Sequence, residues 1–198
     1  MPMKPLVIYG VGQLSELVTF YVQNDSSHKV VGYVTESPSA TGHLGLPLSD
    51  FKDLELTYSQ SETDLFVAIS YHEQNKIRAR ICNSLRERGW NLASIVSRSA
   101  HIASNAAIGD NTLVLEGAVI QPWSRIGDGT VIWSGVQIGH HSLIGRYVFL
   151  SAGVVLMGCN EIGDYCHLAG GVTVKDHVTV GSGAQIGPGS TVLETLFE

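Results

Sequence analysis

The sequence lacks any concentration of positive charge. Its 198 residues include 12 Lys and Arg against 18 Asp and Glu, which gives a formal net charge of −6. The basic residues are scattered, apart from a modest group between positions 78 and 88. Nucleic acids and anionic membranes both select for concentrated positive charge. We therefore expect neither nucleic acid nor a membrane surface as a partner.

Long apolar runs are missing as well. No stretch approaches the roughly 20 residues that are needed to span a bilayer. The opening residues, MPMKPLVIYG, lack the longer apolar core and the small-residue cleavage site of a signal peptide. These two absences predict a cytoplasmic protein without a membrane span.

Cysteine is scarce, with residues only at positions 82, 159 and 166. An odd number of cysteines in a chain without a signal peptide fits reduced thiols in the cytoplasm. Cys159 and Cys166 lack the close paired spacing of a zinc site. We therefore predict that both are core thiols, and we expect no metal.

An unbroken six-residue repeat occupies the second half of the sequence. Every sixth residue from Val96 to Val192 is Ile, Leu or Val, at all 17 positions. The residue two positions earlier is mostly small or β-branched, which suits a tight inward corner. Glycine often follows the aliphatic residue, where it permits the unusual backbone geometry of a turn.

This period predicts a parallel β-helix, in which a short strand and a turn recur three times in each coil of roughly 18 residues. Successive coils then stack at the ordinary inter-strand distance of about 4.8 Å. A sandwich of short strands is the alternative. The 17 uninterrupted steps of the repeat argue against it.

Residues 1 to about 95 have a different pattern. LVIYG (6–10), KVVGYV (29–34) and DLFVAIS (64–70) are typical of buried strands. ELVTFYVQN (16–24) and KIRARICNSLRERG (76–89) are typical of helices. Strands that alternate with helices predict a small parallel α/β domain.

The first of these strands ends in Gly10-Val11-Gly12, with Ser15 where the dinucleotide-binding fingerprint would have its third glycine. A lone GxG after a strand is weak evidence for NAD. A nucleotide or phosphate site is a better interpretation, because the amides of a strand-to-helix turn favour anions. A tight turn that needs only small residues is the other alternative.

Two adjacent histidines occur inside the repeat, in the segment IGHHSLIG (138–145). Residues roughly 18 apart stack in successive coils, so Gly158 is expected above His140, and His141 between Trp123 and Cys159. A glycine there leaves open space and an unobstructed amide, which suits a base beside an oxyanion-binding N–H. The alternative is a surface or interface turn that happens to contain histidine.

The IYGVG opening and the repeats around IGHHSLIG together resemble the sugar acyltransferases of the hexapeptide-repeat superfamily. The relevant branch includes the sialic acid O-acetyltransferases and the bacterial nucleotide-aminosugar N-acetyltransferases. The resemblance covers essentially the whole chain. It implies a Rossmann-like α/β domain at residues 1–95, followed by an all-β left-handed parallel β-helix at residues 96–198.

The resemblance also implies chemical roles. The family histidine that acts as general base falls on His140, and His141 takes the place of an acidic residue that modulates the base. The glycine whose amide faces the thioester carbonyl matches Gly158. The family acts as homotrimers, with acetyl-CoA as co-substrate between neighbouring β-helices. A second family histidine, which assists CoA binding, aligns with Phe149, and Gly170 is a further candidate for CoA binding.

Residues that hold the nucleotide-sugar carry over to three places in the α/β domain. These are the glycine-rich first turn and the ends of the second and third predicted strands. The corresponding residues are Gly10, Gly12, Gln13, Thr35, Glu36, Ala68, Ile69 and Ser70.

The resemblance thus implies transfer of acetyl from acetyl-CoA to a nucleotide-linked amino sugar, with N-acetylation favoured over O-acetylation. A UDP- or dTDP-activated amino-dideoxyhexose for surface polysaccharide is the expected acceptor. One alternative is a non-catalytic, nucleotide-sugar-binding trimeric scaffold, supported by Phe149 in place of the second histidine and by the short ending TVLETLFE. Another is a metalloenzyme like the γ-carbonic anhydrases, but the His-x4-His pair of that site is absent, since no histidine follows His141 until His167.

Overall fold

The computed structural model describes residues 3–25 and 27–197. The N-terminal part of the chain is built around a five-stranded sheet. Its elements are β1 (Lys4–Tyr9), α1 (Gln13–Asp25), β2 (His28–Thr35), β3 (Gly42–His43), β4 (Leu46–Asp50), a 3-10 helix (Phe51–Asp53), α2 (Leu54–Thr57), β5 (Asp64–Val67) and α3 (Lys76–Glu87). The sheet order is β3-β4-β2-β1-β5, and only the β3–β4 pair is antiparallel. The alternation of strands and helices agrees with the sequence pattern, which did not indicate β3, β4 or α2. None of the helices in the described ranges is long and apolar enough to cross a membrane.

The interior strand β1, which lies between β2 and β5, is covered on both faces. Leu6, Val7 and Ile8 are completely buried. Because alternate residues of a strand point to opposite faces, Leu6 and Ile8 pack with Val18 of α1, whereas Val7 packs with Leu85 of α3. A continuous apolar run of this kind is typical of a parallel strand that lies between two layers.

From Ile95 onward the chain forms three parallel sheets, stacked like a left-handed β-helix. The first face consists of β6 (Ile95–Val96), β9 (Leu113–Val114), β12 (Val131–Ile132), β15 (Phe149–Leu150), β18 (His167–Leu168) and β21 (Gln185–Ile186). The second face consists of β7 (His101–Ile102), β10 (Val119–Ile120), β13 (Gln137–Ile138), β16 (Val155–Leu156), β19 (Thr173–Val174) and β22 (Thr191–Val192). The third face consists of β8 (Ala107–Ile108), β11 (Arg125–Ile126), β14 (Leu143–Ile144), β17 (Glu161–Ile162) and β20 (Thr179–Val180).

Turns of four residues join these faces at three corners. In one central coil, residues 133–136 form the first corner, 139–142 the second corner and 145–148 the third corner. Neighbouring strands on a face pair in register with the predicted offset of three repeats, as Val119 pairs with Gln137 and Gln137 with Val155. Equivalent corner residues of successive coils therefore lie above one another.

The six-residue repeat forms the core of the β-helix. All 17 of its aliphatic residues belong to one cluster, in which only Val96, Ile102, Ile108 and Ile186, near the ends, are partly exposed. The residues two positions earlier are buried from Thr112 to Val178. Since burial of one such aliphatic side chain contributes about 1.5–3 kcal/mol, this ladder is a major source of stability.

The α/β layer lies against the first face of the β-helix. Leu113, Val131 and Phe149 point outward from that face and pack in the same core as Ile8 and Val18. This contact fixes the end of the parallel sheet next to the first corner, where a cavity opens.

Candidate active site

The second corner carries a column of bulky residues with left-handed backbone. Trp123, His141, Cys159 and His177 occupy the same place in successive coils, with φ between +50° and +63°. Such a conformation costs a residue other than glycine about 1 kcal/mol or more. The first corner meets the same requirement with glycines, namely Gly117, Gly135, Gly153, Gly171 and Gly189. The second corner instead carries four non-glycine side chains in this conformation, stacked in a column.

His140 and His141 bring ring nitrogens together at this corner. Their Nδ1 atoms lie 3.1 Å apart, and the ring planes are nearly perpendicular, at 86°. Trp123 stacks on the ring of His141, with centroids 4.7 Å apart and planes at 24°. At this N–N distance, one ring must donate a proton and the other must accept it. Each direction of this hydrogen bond therefore corresponds to a different pair of tautomers of the two rings.

Gly158 leaves space next to the ring of His140. A Cβ added there would lie 3.4 Å from both Cε1 and Nε2 of His140, and the φ of +154° is one that L side chains rarely adopt. The amide of Gly158 is not unobstructed, contrary to the expectation from sequence, because it donates to Oδ1 of Asn160 at 3.2 Å. Asn160 is completely buried, and its Nδ2 donates to the carbonyl oxygen of Lys175 at 2.6 Å.

Cys159 lies beside the histidines rather than in the core. The sequence predicted core thiols at positions 159 and 166, and Cys166 is indeed completely buried inside the β-helix. The prediction is wrong for Cys159, which is half-buried with Sγ 4.0 Å from Nδ1 of His140. The reason is the place of each residue in its coil. Cys159 occupies the same corner position as His141, where the backbone is left-handed, whereas the side chain of Cys166 points into the core of the β-helix.

A cavity of about 640 Å³ opens between the α/β layer and the first corner of the β-helix. This volume is in the range of small-molecule sites. Six of the predicted substrate residues line it, namely Gly10, Gly12, Gln13, Ala68, Ile69 and Ser70. The sequence did not indicate its other lining residues, which are Val11, Leu14, Leu17, Tyr71, His72 and Trp133.

The two glycines of the first turn have different constraints. Gly10 has a φ of +115°, and a Cβ there would lie 3.0 Å from the carbonyl oxygen of Ala68. A Cβ at Gly12 would meet no atom within 4 Å. The carbonyl oxygen of Gly12 accepts from the amide and hydroxyl of Ser15, at 2.9 Å and 2.6 Å, as α1 begins. The start of α1 thus lies at the cavity wall, where the first amides of a helix attract anions.

Aromatic rings also line this cavity. Tyr71 stacks on His167, with centroids 4.6 Å apart, and contacts the edge of Phe149 at 5.2 Å. Trp133 lies 5.7 Å from the ring of Phe149. Burial lowers the pKa of His167, although a hydrogen bond with Gln185 opposes the shift, so the neutral ring is favoured. Tyr71 and Trp133, which line the cavity, therefore provide an apolar wall for a flat ligand.

Arg78 fixes the loop that carries Ile69 and Ser70. Its side chain is completely buried. Nη1 donates to the carbonyl oxygens of Ile69 and Ser70, both at 2.9 Å, and Nε donates to that of Gly129 in the β-helix at 2.7 Å. The sequence indicated only a scattered basic residue here, because nothing in a local pattern shows that an arginine is buried.

Other predicted site residues lie elsewhere. Glu36 lines a second cavity, of about 510 Å³, and Thr35 pairs with Asp50 at the end of β2. Phe149 is buried on the first face, and Gly170 lies at the first corner. Within one chain, therefore, the cavity opens at the first corner and His140 lies at the second, with β13 between them.

Known proteins match this chain in its repeats and in its whole fold. Residues 124–158 match the family model of bacterial transferase hexapeptide repeats. No curated protein sequence matches the chain significantly. The likeness to solved structures, in contrast, extends over almost its whole length.

The acetyltransferase domain of PglB from Neisseria gonorrhoeae FA1090 is 25% identical, with 98% of this chain and 93% of that chain covered and a TM-score of 0.86. That domain has also been solved with acetyl coenzyme A. A mutant of perosamine N-acetyltransferase from Caulobacter crescentus, in complex with CoA and GDP-perosamine, is 24% identical, with 98% and 90% covered and a TM-score of 0.79. WeeI from Acinetobacter baumannii AYE is 19% identical, with 97% of this chain and 92% of that chain covered and a TM-score of 0.81.

These findings agree with the repeat that the structure shows to be continuous from Val96 to Val192. The hexapeptide match identifies the repeat itself. The match to the PglB domain extends over the α/β layer as well as the β-helix. The chain therefore contains bacterial transferase hexapeptide repeats and is similar over almost its whole length to the acetyltransferase domain of PglB.

Proposed function

We propose that this protein transfers the acetyl group of acetyl-CoA to the amino group of a nucleotide-linked sugar. The acceptor is a UDP- or dTDP-activated amino-dideoxyhexose, used for surface polysaccharide. The observation that carries the proposal is the contact between His140 and His141, with Gly158 next to the ring of His140 in the following coil. That arrangement supplies an oriented imidazole base on an exposed corner of the β-helix.

In the proposed reaction His140 acts through Nε2. We assign Nδ1–H of His140 as the donor to Nδ1 of His141 across the 3.1 Å contact, and this tautomer leaves the lone pair on Nε2. Nε2 takes the proton that the sugar amine loses as it attacks the thioester carbonyl, and returns it to the CoA thiolate that leaves. His141 accepts the hydrogen bond as a carboxylate would, but adds no negative charge. The hydrogen bond between the two rings becomes stronger once His140 is cationic.

Gly158 is the proposed donor to the developing oxyanion. Its amide lies in the coil above His140 and bonds Asn160 over 3.2 Å, which is long for an N–H···O bond. A developing oxyanion accepts more strongly than a neutral amide oxygen. We therefore propose that the acyl oxygen shares or replaces the contact with Asn160.

The α/β part, residues 1–95, is proposed to be a Rossmann-like domain that binds the nucleotide. Amides at the start of α1, next to Gly12, suit the phosphates. The ring of Tyr71 or Trp133 suits the flat base or the sugar. Thr35 and Glu36 would extend this site along the carboxyl ends of the sheet, where open α/β sheets bind ligands.

The β-helix, residues 96–198, is proposed to complete the site as a homotrimer. His140 lies one corner away from the cavity within a single chain, so a neighbouring subunit is a natural source of the missing half. Acetyl-CoA would lie in the cleft between subunits, near Gly158 and Gly170. Phe149, which is buried, would contribute by supporting Trp133 and Tyr71.

A panel of nucleotide amino sugars tests the function directly. Purified protein is incubated with acetyl-CoA and each of the UDP-, dTDP- and GDP-linked amino-dideoxyhexoses, and both free CoA thiol and the mass of the sugar are measured. We expect thiol release and an acetylated sugar with one or a few members of the panel. Calorimetry with each substrate alone is the companion measurement. Sugar binding without acetyl-CoA binding or turnover would refute the proposal and indicate a scaffold.

A further inference from the structure

Three side chains at the second corner can act together as metal ligands. Ligand atoms of His140, His141 and Cys159 all lie within 4.8 Å of one another. No other set of three or more His, Cys, Asp or Glu side chains within residues 3–25 and 27–197 is this close. We infer that this group binds Zn²⁺ and that the bound ion inhibits the enzyme.

The distances fit a tetrahedral ion. Zinc bonds of about 2.0–2.1 Å to nitrogen and about 2.3 Å to sulfur place two nitrogen ligands about 3.3 Å apart, and nitrogen and sulfur about 3.6 Å apart. The Nδ1 atoms of His140 and His141 are 3.1 Å apart, and Sγ of Cys159 is 4.0 Å from Nδ1 of His140. These two distances differ from the tetrahedral values by only a few tenths of an ångström. The ligand atoms of His141 and Cys159 lie within 4.8 Å of each other, and the side chains concerned are exposed or half-exposed, so they can move to close the site.

The donor set selects the metal. Two imidazoles and a thiolate favour Zn²⁺ over the hard ions Mg²⁺ and Ca²⁺, and three protein ligands leave a fourth position for water. The other two thiols do not compete, because both are buried. Burial raises the pKa of Cys82 to about 12 and also raises the pKa of Cys166, and a thiol must lose its proton to bind metal.

Inhibition follows from the nitrogen that the ion occupies. A neutral imidazole that binds metal through one nitrogen carries its proton on the other. With zinc on Nδ1 of His140, Nε2 would carry the proton and could no longer accept one from a substrate. The ion would also break the contact of His140 with His141. This step rests on the proposed function, whereas binding of the metal does not.

Binding is tested on the full chain, without substrates, by titration with Co²⁺ after treatment with a chelator. We expect a thiolate-to-cobalt charge-transfer absorption that saturates near one ion per chain and is displaced by Zn²⁺. Cys159→Ser should lose this band. His177→Asn, which changes the exposed histidine one coil beyond Cys159 in the same column, should retain it. Absence of the band in the wild type, or an unchanged band in Cys159→Ser, would overturn the inference.

Inhibition is tested with the same variants. Zn²⁺ should inhibit acetyl transfer by the wild type and by His177→Asn, and a chelator should restore the rate. Cys159→Ser should keep the basal rate and need at least about tenfold more Zn²⁺ for half-inhibition, which is the loss of about 1.4 kcal/mol of binding. Equal inhibition of wild type and Cys159→Ser would overturn the inference and leave the function standing. A cobalt band in a protein that transfers no acetyl group would support the metal site and refute the function instead.

Discussion

Nδ1 of His140 lies 3.1 Å from Nδ1 of His141, and the ring of Trp123 holds His141 in that orientation by stacking on it. One imidazole thus orients another at a corner of the β-helix where both rings are exposed. In the proposed mechanism, His141 is a positioning residue, because it acts on the substrate only through His140.

The first prediction concerns the acceptor at position 141. His141→Ala removes the partner of Nδ1, so we expect kcat to fall by about 10- to 100-fold, with little change in either KM. His141→Glu restores an acceptor and adds a negative charge that stabilises the imidazolium of His140. It should therefore keep most of the activity and move the acid limb of the kcat profile to higher pH.

Measurement of kcat and KM across a range of pH separates positioning from mere structure. His177→Asn is the matched control, since it occupies the same left-handed column one coil further on. An acid limb at the same pH in the wild type and in His141→Glu would contradict the role given to His141.

The second prediction concerns the space above the base. Gly158→Ala introduces a Cβ 3.4 Å from Nε2 and Cε1 of His140, at a φ of +154°. The methyl group crowds the base, and the strained φ displaces the backbone that positions the amide. We therefore expect kcat to fall about 100-fold, the scale of losing one oxyanion donor. Gly153→Ala is the control, because its φ is also positive, at +69°, but no atom lies within 4 Å of the added Cβ. Steady-state kinetics on both variants should show loss only in Gly158→Ala; equal losses would argue against a site at this corner.

The third prediction distinguishes binding from folding in the glycine-rich turn. A Cβ at Gly12 would meet no atom within 4 Å, and Gly12 lines the cavity, so Gly12→Leu should fold normally and occupy space in the cavity. We expect KM for the nucleotide-sugar to rise at least about tenfold, while KM for acetyl-CoA stays the same. Gly187→Leu, whose Cβ would approach only Oγ of Ser190, at 3.8 Å, controls for the substitution itself. An unchanged KM for the nucleotide-sugar in a folded Gly12→Leu would show that the nucleotide binds elsewhere.

The fourth prediction concerns stability at low pH. Asp64 is buried and accepts hydrogen bonds from Lys4 at 2.6 Å, from Asn91 at 2.6 Å and from His28 at 3.0 Å. Burial alone would raise the pKa of Asp64, but these bonds outweigh it and the pKa is lowered. A carboxylate of this kind stabilises the fold fully above its unfolded pKa of about 3.9, and the stabilisation is lost as pH falls through the folded pKa.

The free energy of unfolding of the wild type should therefore decrease from about pH 4 downward. Asp64→Asn should be less stable at pH 7 by about 1–3 kcal/mol, and its stability should depend less on pH in the acid range. Denaturant titrations at a series of pH values measure both effects. Asp110→Asn, at an exposed position, is the control. An identical acid dependence in wild type and Asp64→Asn would contradict the assignment.

Much of the β-helix could be predicted because its structure follows from a local repeat in the sequence. Each aliphatic residue from Val96 to Val192 faces inward for the same local reason, so the period alone defines the strands and the stacking. The alignment of Gly158 above His140 follows from that stacking without knowledge of any tertiary contact. The predicted division at residue 95 stays a prediction, and β6, at Ile95–Val96, spans that point.

The remainder depends on contacts that no local pattern encodes. Trp133 lines the cavity from the β-helix. Arg78 donates a hydrogen bond to the carbonyl oxygen of Gly129, which lies 51 residues further along the chain. Asn160 is different, because it is the one amide side chain in the inward column of the repeat. That exception was a visible signal, and its partner turned out to be the amide of Gly158.

The turnover of His140→Asn, with the sugar that the panel identifies, tests the central claim most directly. Asparagine cannot accept the amine proton, so the account predicts a fall in kcat of about 10²- to 10⁴-fold. Both KM values, the native mass and the melting temperature should remain close to those of the wild type. A folded His140→Asn protein that turns over at nearly the wild-type rate would contradict the account.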